Sequence, residues 1–107
     1  MRTHQDIDRR SLALARAVVA KVEADPGRRG LARAIVTCRR WSEEGVPAAK
    51  EWMQILETRD WAGIRGVLLD PAEEGCRLRQ SSPFAGVLPP RERWAIYREF
   101  SHEPESV

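Results

Sequence analysis

The side chains with the most versatile chemistry are few and scattered along the chain. His4 and His102 lie near opposite ends with no third metal ligand beside them, so we interpret both as solvated surface residues. Cys38 and Cys76 form neither a disulfide framework nor a zinc pattern. Cys38 falls on an apolar helical stripe without an activating histidine, which predicts a buried thiol. Cys76 lies among charged residues and has no identifiable base partner.

Two pairs of adjacent acids, Glu43-Glu44 and Glu73-Glu74, are the remaining candidates for acid–base chemistry. Such chemistry requires environments that push the two pKa values apart, and nothing in the sequence indicates them. We therefore interpret all four as solvated helix residues. Since no nucleophile–base pair or ligand set is found, we predict that the protein is not an enzyme and binds neither a cofactor nor a metal.

Length and composition fit one small soluble domain. The chain has 107 residues, 42% of them hydrophobic, which is too apolar for a disordered chain and too short for a multidomain enzyme. No apolar run is long enough to span a bilayer, and the N-terminal residues lack the apolar segment of a signal peptide. We predict a cytoplasmic protein without membrane contact.

The basic residues are mostly arginine, with 16 Arg against 2 Lys, although the formal net charge is only +2. A GC-rich genome, whose codons favour arginine, accounts for this bias without any function. A binding interface would account for it too, because arginine forms bidentate pairs with carboxylates and phosphates. The net charge by itself does not require a nucleic-acid partner.

Apolar residues recur at helical spacing along most of the chain, and no period-2 strand pattern of useful length is present. We therefore predict an all-α fold, with a single compact domain over residues 1–107, five to six short helices and a short flexible tail from about residue 102. The expected helices are Asp6–Ala24, Arg28–Glu44, Pro47–Glu57, Trp61–Leu69, Pro71–Arg79 and Pro90–Ser101.

Capping residues support several of these boundaries. Asp25 is placed to cap the second helix with Pro26 at its first position, and Gly45 suits a left-handed C-terminal cap. Asp70 is a strong N-cap signal for the fifth helix, and Glu73 completes a capping-box pattern. The four tryptophans all fall on apolar helical faces, so we expect them to be core or interface anchors.

The segment between the fifth and sixth helices is the most distinctive part of the sequence. It combines closely spaced arginines, a serine pair, a proline turn and a large aromatic residue, Phe84. One interpretation is a recognition loop held by a rigid helical scaffold. The other is that Phe84 and Leu88 close the core. The sequence does not distinguish these two possibilities.

The second and third helices also suggest a helix-turn-helix unit, in which Arg33, Arg39 and Arg40 would meet DNA phosphates. The third helix, however, carries Glu51 and Glu57 among its polar residues, and carboxylates are repelled by the DNA backbone. We keep a DNA-binding transcriptional regulator, including one that autoregulates its operon, as the alternative function.

Two stretches, Leu78–Leu88 (LRQSSPFAGVL) and Glu92–Arg98 (ERWAIYR), resemble the C-terminal signature of a group of small bacterial helical proteins. These proteins are encoded beside nucleotidyltransferase-like toxins and resemble antitoxins. The resemblance covers most of the chain, but only the C-terminal third is specific, and it implies no catalytic residues.

This resemblance implies an antitoxin-like module that neutralises a nucleotidyltransferase-type toxin by direct binding. Nucleotidyltransferases hold metal with acidic residues, which an arginine cluster could pair with. The oligomeric state is left open. The predicted partner-binding residues are Arg77, Arg79, Gln80, Ser81, Ser82, Phe84, Arg93, Tyr97 and Arg98.

Overall fold

The computed structural model describes residues 4–100, and their side chains from residue 8 onward. It confirms the all-α prediction: the described chain contains six α-helices, one short 3₁₀ turn and no strand. The helices are α1 (His4–Ala24), α2 (Arg29–Glu43), α3 (Pro47–Thr58), α4 (Trp61–Leu68), α5 (Glu73–Arg79) and α6 (Pro90–Phe100), with the 3₁₀ turn at Ala85–Val87. The predicted tail lies outside the described residues.

Helix α1 is the centre of the fold. It contacts α2, α4, α5, α6 and the 3₁₀ turn, whereas α3 packs mainly against α2. Trp52 is fully buried, and its Nε1 donates a hydrogen bond to the carbonyl oxygen of Leu78 at 2.9 Å, which ties α3 to α5. The core consists of Ala15, Val18, Val19, Val22, Ala34, Cys38, Ala49, Trp52, Met53, Ile55, Leu56, Ile64, Val67, Leu68, Leu78, Phe84 and Leu88.

The turn between α2 and α3 has the predicted geometry. Gly45 has a φ of 88°, in the left-handed region that a residue with a Cβ adopts only at a cost. The Gly45 amide donates to the carbonyl of Ser42, and the Val46 amide donates to that of Trp41. This is the Schellman arrangement, which satisfies carbonyls at the end of α2 and reverses the chain.

The prediction for the start of α2 is only partly right. The Asp25 carboxylate accepts a hydrogen bond from the Arg29 amide at 3.0 Å, so it does serve the helix terminus. Pro26, however, lies in the preceding turn rather than in the helix. The helix begins at Arg29, three residues after Pro26, because Arg28 occupies the left-handed region with a φ of 51°.

The prediction for the start of α5 is wrong by two residues. Asp70 Oδ1 accepts a hydrogen bond from the Ala72 amide at 2.9 Å in a local turn, and Ala72 occupies the N-cap position without a side-chain cap. The backbone then passes very close to itself. A Cβ on Gly75 would lie 2.1 Å from the carbonyl oxygen of Asp70, so only glycine fits here.

None of the described helices is long and apolar enough to cross a membrane.

Candidate functional site: the groove between α1 and α6

Phe84 belongs to the hydrophobic core. It is 1% exposed, and its ring lies 6.1 Å from the Trp52 ring and 6.4 Å from the Trp61 ring, measured between centroids. Of the two interpretations that the sequence leaves open for this segment, the structure therefore shows the one in which Phe84 closes the core. At 1% exposure, Phe84 offers almost no surface of its own to a partner.

The segment that carries Phe84 is turned inward by local hydrogen bonds. Ser82 Oγ accepts a hydrogen bond from the Phe84 amide at 3.1 Å, and Pro83 between them is buried. Ser81 Oγ donates to the carbonyl of Leu78 at 3.4 Å. The serine pair thus stabilises the turn that directs Phe84 into the core.

Arg79 is also buried, with its side chain only 3% exposed. Its Nε donates to Ser11 Oγ at 2.7 Å, and its Nη2 donates to Asp8 Oδ1 at 2.6 Å. Its Nη1 donates to the carbonyl oxygens of Leu68 and Asp70 at 3.2 and 2.5 Å. This guanidinium therefore joins α1 to the ends of α4 and α5.

Arg77 points away from Arg79 and is half exposed. Its Nη1 and Nη2 donate to the two carboxylate oxygens of Glu51 at 3.0 and 2.7 Å, and it also pairs with Glu74. These hydrogen bonds hold the pKa of both glutamates below the usual value. Arg77 therefore links α5 to α3 and lies apart from the remaining predicted contact residues.

Six of the nine predicted contact residues line one groove of about 300 Å³ between α1, the 80–88 segment and α6. Its buried floor includes Val18, Phe84 and Leu88. Polar and charged side chains surround the floor, and they include Arg10, Ser11, Arg79, Gln80, Ser82, Arg93 and Tyr97. An apolar floor with a few convergent polar groups is typical of a binding site.

Three predicted contact residues lie elsewhere. Arg77 is held by α3, and Ser81 borders a separate shallow depression beside Trp41. Arg98 is exposed on α6 but does not line the groove. The groove is therefore a smaller site than the one predicted from the sequence.

Beside the groove, α6 exposes Trp94 next to the groove residue Tyr97. Trp94 is 61% exposed, and its ring meets that of Tyr97 edge-to-face at a centroid distance of 5.7 Å. The Arg10 guanidinium of α1 lies over the Tyr97 ring, 5.1 Å from its centroid. These three side chains connect α1 and α6 at the surface.

Sequence reasoning missed Arg10 and Trp94. The resemblance points to the C-terminal third of the chain, whereas Arg10 lies in α1. The sequence predicts Trp94 to be a core or interface anchor; it lies outside the core, 61% exposed, on a helix that packs chiefly on α1. The spacing of Trp94 and Tyr97, three residues apart on one helix, was the available signal.

The two thiols are poorly suited to nucleophilic chemistry. Cys38 is fully buried, as predicted, and its Sγ donates to the carbonyl of Ala49 at 3.3 Å. Burial raises the pKa of Cys38, and a hydrogen bond with the Asp8 carboxyl raises the pKa of the half-buried Cys76. Both thiols therefore stay protonated at neutral pH.

Among the described residues, no three histidine, cysteine or carboxylate side chains converge as a metal site requires.

The α2–α3 unit has a helix-turn-helix connection, but α3 presents an unsuitable surface to DNA. Its exposed side chains include Lys50, Gln54 and Glu57. The DNA backbone would repel the Glu57 carboxylate on this face. Glu51 is engaged by Arg77. Base recognition by α3 has no support in this arrangement.

Comparisons of the chain with protein-family models, with curated proteins and with solved structures found no match.

Proposed function

We propose that this chain is a small protein-binding module of the antitoxin type, which binds and neutralises a nucleotidyltransferase-type toxin. The observation that carries the proposal is the groove between α1 and α6, with its apolar floor and arginine-bearing rim, beside which Trp94 is exposed. The class of partner comes from the resemblance of residues 78–88 and 92–98 to antitoxin-like proteins. The groove supplies a surface on which such a partner could dock.

The aromatic pair on α6 supplies a hydrophobic anchor. Tyr97 lines the groove, and the exposed Trp94 beside it contacts the Tyr97 ring edge-to-face. Tryptophan, tyrosine and arginine are enriched among residues that dominate binding energy at protein interfaces. An exposed tryptophan beside an apolar groove is therefore the expected centre of the interface.

Two arginines supply the charge complementarity. Arg10 and Arg93 both line the groove, and within the described part of the chain neither forms an ion pair with a carboxylate. The cleft of a nucleotidyltransferase contains metal-binding carboxylates. Arginines at the rim could pair with those carboxylates while the apolar floor accepts a neighbouring side chain, which would block the cleft.

The test uses the protein encoded by the adjacent reading frame as the binding partner. Binding is measured by titration calorimetry, and neutralisation is measured as growth of cells that co-express both proteins. We expect Trp94→Ala to weaken binding by about 30-fold, which corresponds to about 2 kcal/mol for an aromatic hot spot. The same variant should lose growth rescue while its thermal denaturation stays close to that of the wild type.

A matched pair of charge reversals on α6 provides the control. Arg93→Glu changes a groove residue, whereas Arg91→Glu changes an exposed residue of the same helix outside the groove. Only Arg93→Glu should weaken binding. Equal binding by both variants, or no complex and no rescue by the wild type, would contradict the proposal.

A further inference from the structure

The outward face of α2 carries a row of arginines that the groove does not use. Arg29, Arg33, Val36 and Arg40 follow one another at intervals of four, three and four residues, so they share one side of the helix. All four are exposed. The buried residues of α2, Ala34 and Cys38, lie on the other side. We call the row Arg29, Arg33, Val36 and Arg40 the α2 arginine face.

The charges of this face are only partly compensated within the molecule. Arg29 pairs with Asp25 at 3.1 Å, although its side chain remains 89% exposed. In the part of the chain that the structure describes, Arg33 and Arg40 form no ion pair. By contrast, Arg77 and Arg79 are both engaged by carboxylates. Arg33 and Arg40 therefore have donors available for an external anion.

We propose that the α2 arginine face binds the phosphodiester backbone of a nucleic-acid duplex. This goes beyond the proposed toxin binding, because the face shares no residue with the groove. With a helical rise of about 1.5 Å per residue, the three guanidiniums are attached at intervals of about 6 and 10 Å along one line. Such a row can contact successive backbone phosphates, and arginine donates to phosphate through a planar fork.

The composition of the face favours nucleic acid over protein. Its one apolar side chain is Val36, and it contains no aromatic residue. A protein interface needs an apolar core, whereas nonspecific nucleic-acid binding rests on phosphate contacts alone. The contact differs from the helix-turn-helix hypothesis, because α2 binds the backbone and α3 reads no bases. The expected binding is therefore tolerant of sequence.

The experiment measures binding of the full chain to short fluorescent duplexes of DNA and of RNA by anisotropy, at low and at moderate salt. Three phosphate contacts predict a loss of about 40-fold in affinity between about 50 and 200 mM salt. In the variant Arg33→Glu with Arg40→Glu, binding at low salt should fall by at least about tenfold, and the salt dependence should become shallow. The two duplexes show whether DNA, RNA or both supply the phosphates.

A second double variant, Arg16→Glu with Arg91→Glu, provides the control. It changes two exposed arginines outside the α2 arginine face and alters the net charge by the same amount. It should retain most of the duplex binding. Equal losses in the two double variants would overturn the proposal, because binding would then follow net charge rather than this face.

A titration with polyglutamate tests the competing occupant. Binding of polyglutamate that depends on Arg33 and Arg40, without binding of either duplex, would assign the face to an acidic protein segment and overturn the proposal. Absence of duplex binding by the wild type at low salt would overturn it as well. The toxin-binding assay is independent, so the two proposals can fail separately.

Discussion

The segment from Leu78 to Leu88 buries its key apolar side chains, whereas helix α6, which follows it, is largely exposed. The first contains the most distinctive sequence, yet the side chains of Phe84 and Leu88 are 1% and 2% exposed. Helix α6 has no fully buried residue, and it presents Trp94 to solvent. The unusual sequence therefore belongs to tightly packed residues here, whereas the exposed aromatic side chain lies on the helix that follows.

Two arginines at the end of α5 also differ in burial: the Arg79 side chain is buried and the Arg77 side chain is half exposed. Arg79 is enclosed and donates to two carbonyls, a hydroxyl and a carboxylate. Arg77, two residues earlier, makes its ion pairs at the surface. Neighbours of the same chemical type thus have different roles: one holds three helices together, and the other adds a solvated link between α3 and α5.

The largest expected effect is the difference in stability between Phe84→Ala and Trp94→Ala. Phe84→Ala should lower the free energy of unfolding by about 3–5 kcal/mol, because it leaves a cavity between two tryptophans. Trp94→Ala should change it by no more than about 0.5 kcal/mol, since that side chain is mostly solvated. Urea denaturation of both variants at one temperature measures the difference.

A folded Phe84→Ala variant with wild-type stability would contradict the core assignment. If Phe84→Ala does not fold, Phe84→Leu keeps most of the volume and should cost less than about 1.5 kcal/mol. Its stability then tests the same packing in a folded protein.

The next largest effect is the difference in stability between Arg79→Ala and Arg77→Ala. Arg79→Ala should lower the free energy of unfolding by about 3 kcal/mol, because it removes the partner of Asp8 and leaves two carbonyl groups without their donor. Arg77→Ala should lower the urea midpoint far less, since exposed ion pairs contribute little. Arg79→Lys tests the geometry: one ammonium cannot replace a fork that reaches four oxygens, so it should restore only part of the loss.

The helices themselves could be predicted from the sequence, because their determinants are local. Apolar spacing located all six, and Gly45 marked the end of α2 because the left-handed turn there favours glycine. The start of α5 was harder. Asp70 has the right side chain for a cap, but the close approach of the backbone at Gly75 leaves it in a turn that precedes the helix.

The orientation of the candidate site could not be predicted, because its determinants are distant in the sequence. Arg79 is buried by Asp8 and Ser11, which lie 71 and 68 residues away. Phe84 is buried by Trp52 and Trp61, and no periodic pattern links a loop residue to such partners. Similarly, Arg10 joins the groove only because α1 and α6 pack together.

The smallest expected effect concerns the pH dependence of the Arg77 network. Hydrogen bonds from Arg77 hold the folded-state pKa of Glu51 and Glu74 below the usual value of 4.5. Carboxyl groups with a lowered folded-state pKa contribute stability that is present at neutral pH and is lost as the pH falls through that lowered pKa. The link between α3 and α5 should therefore weaken in acid, below pH 4.5.

Arg77→Ala removes this contribution, so the variant should be slightly less stable than the wild type at pH 7, and the two should converge as the pH falls. Urea midpoints measured at intervals from pH 7 down to the acid limit test this. Arg79→Ala is the contrasting case: its carbonyl contacts do not titrate, so most of its deficit should persist in acid. A constant difference between wild type and Arg77→Ala across the pH range would show that Arg77 acts through packing of its stem rather than through its carboxylate partners.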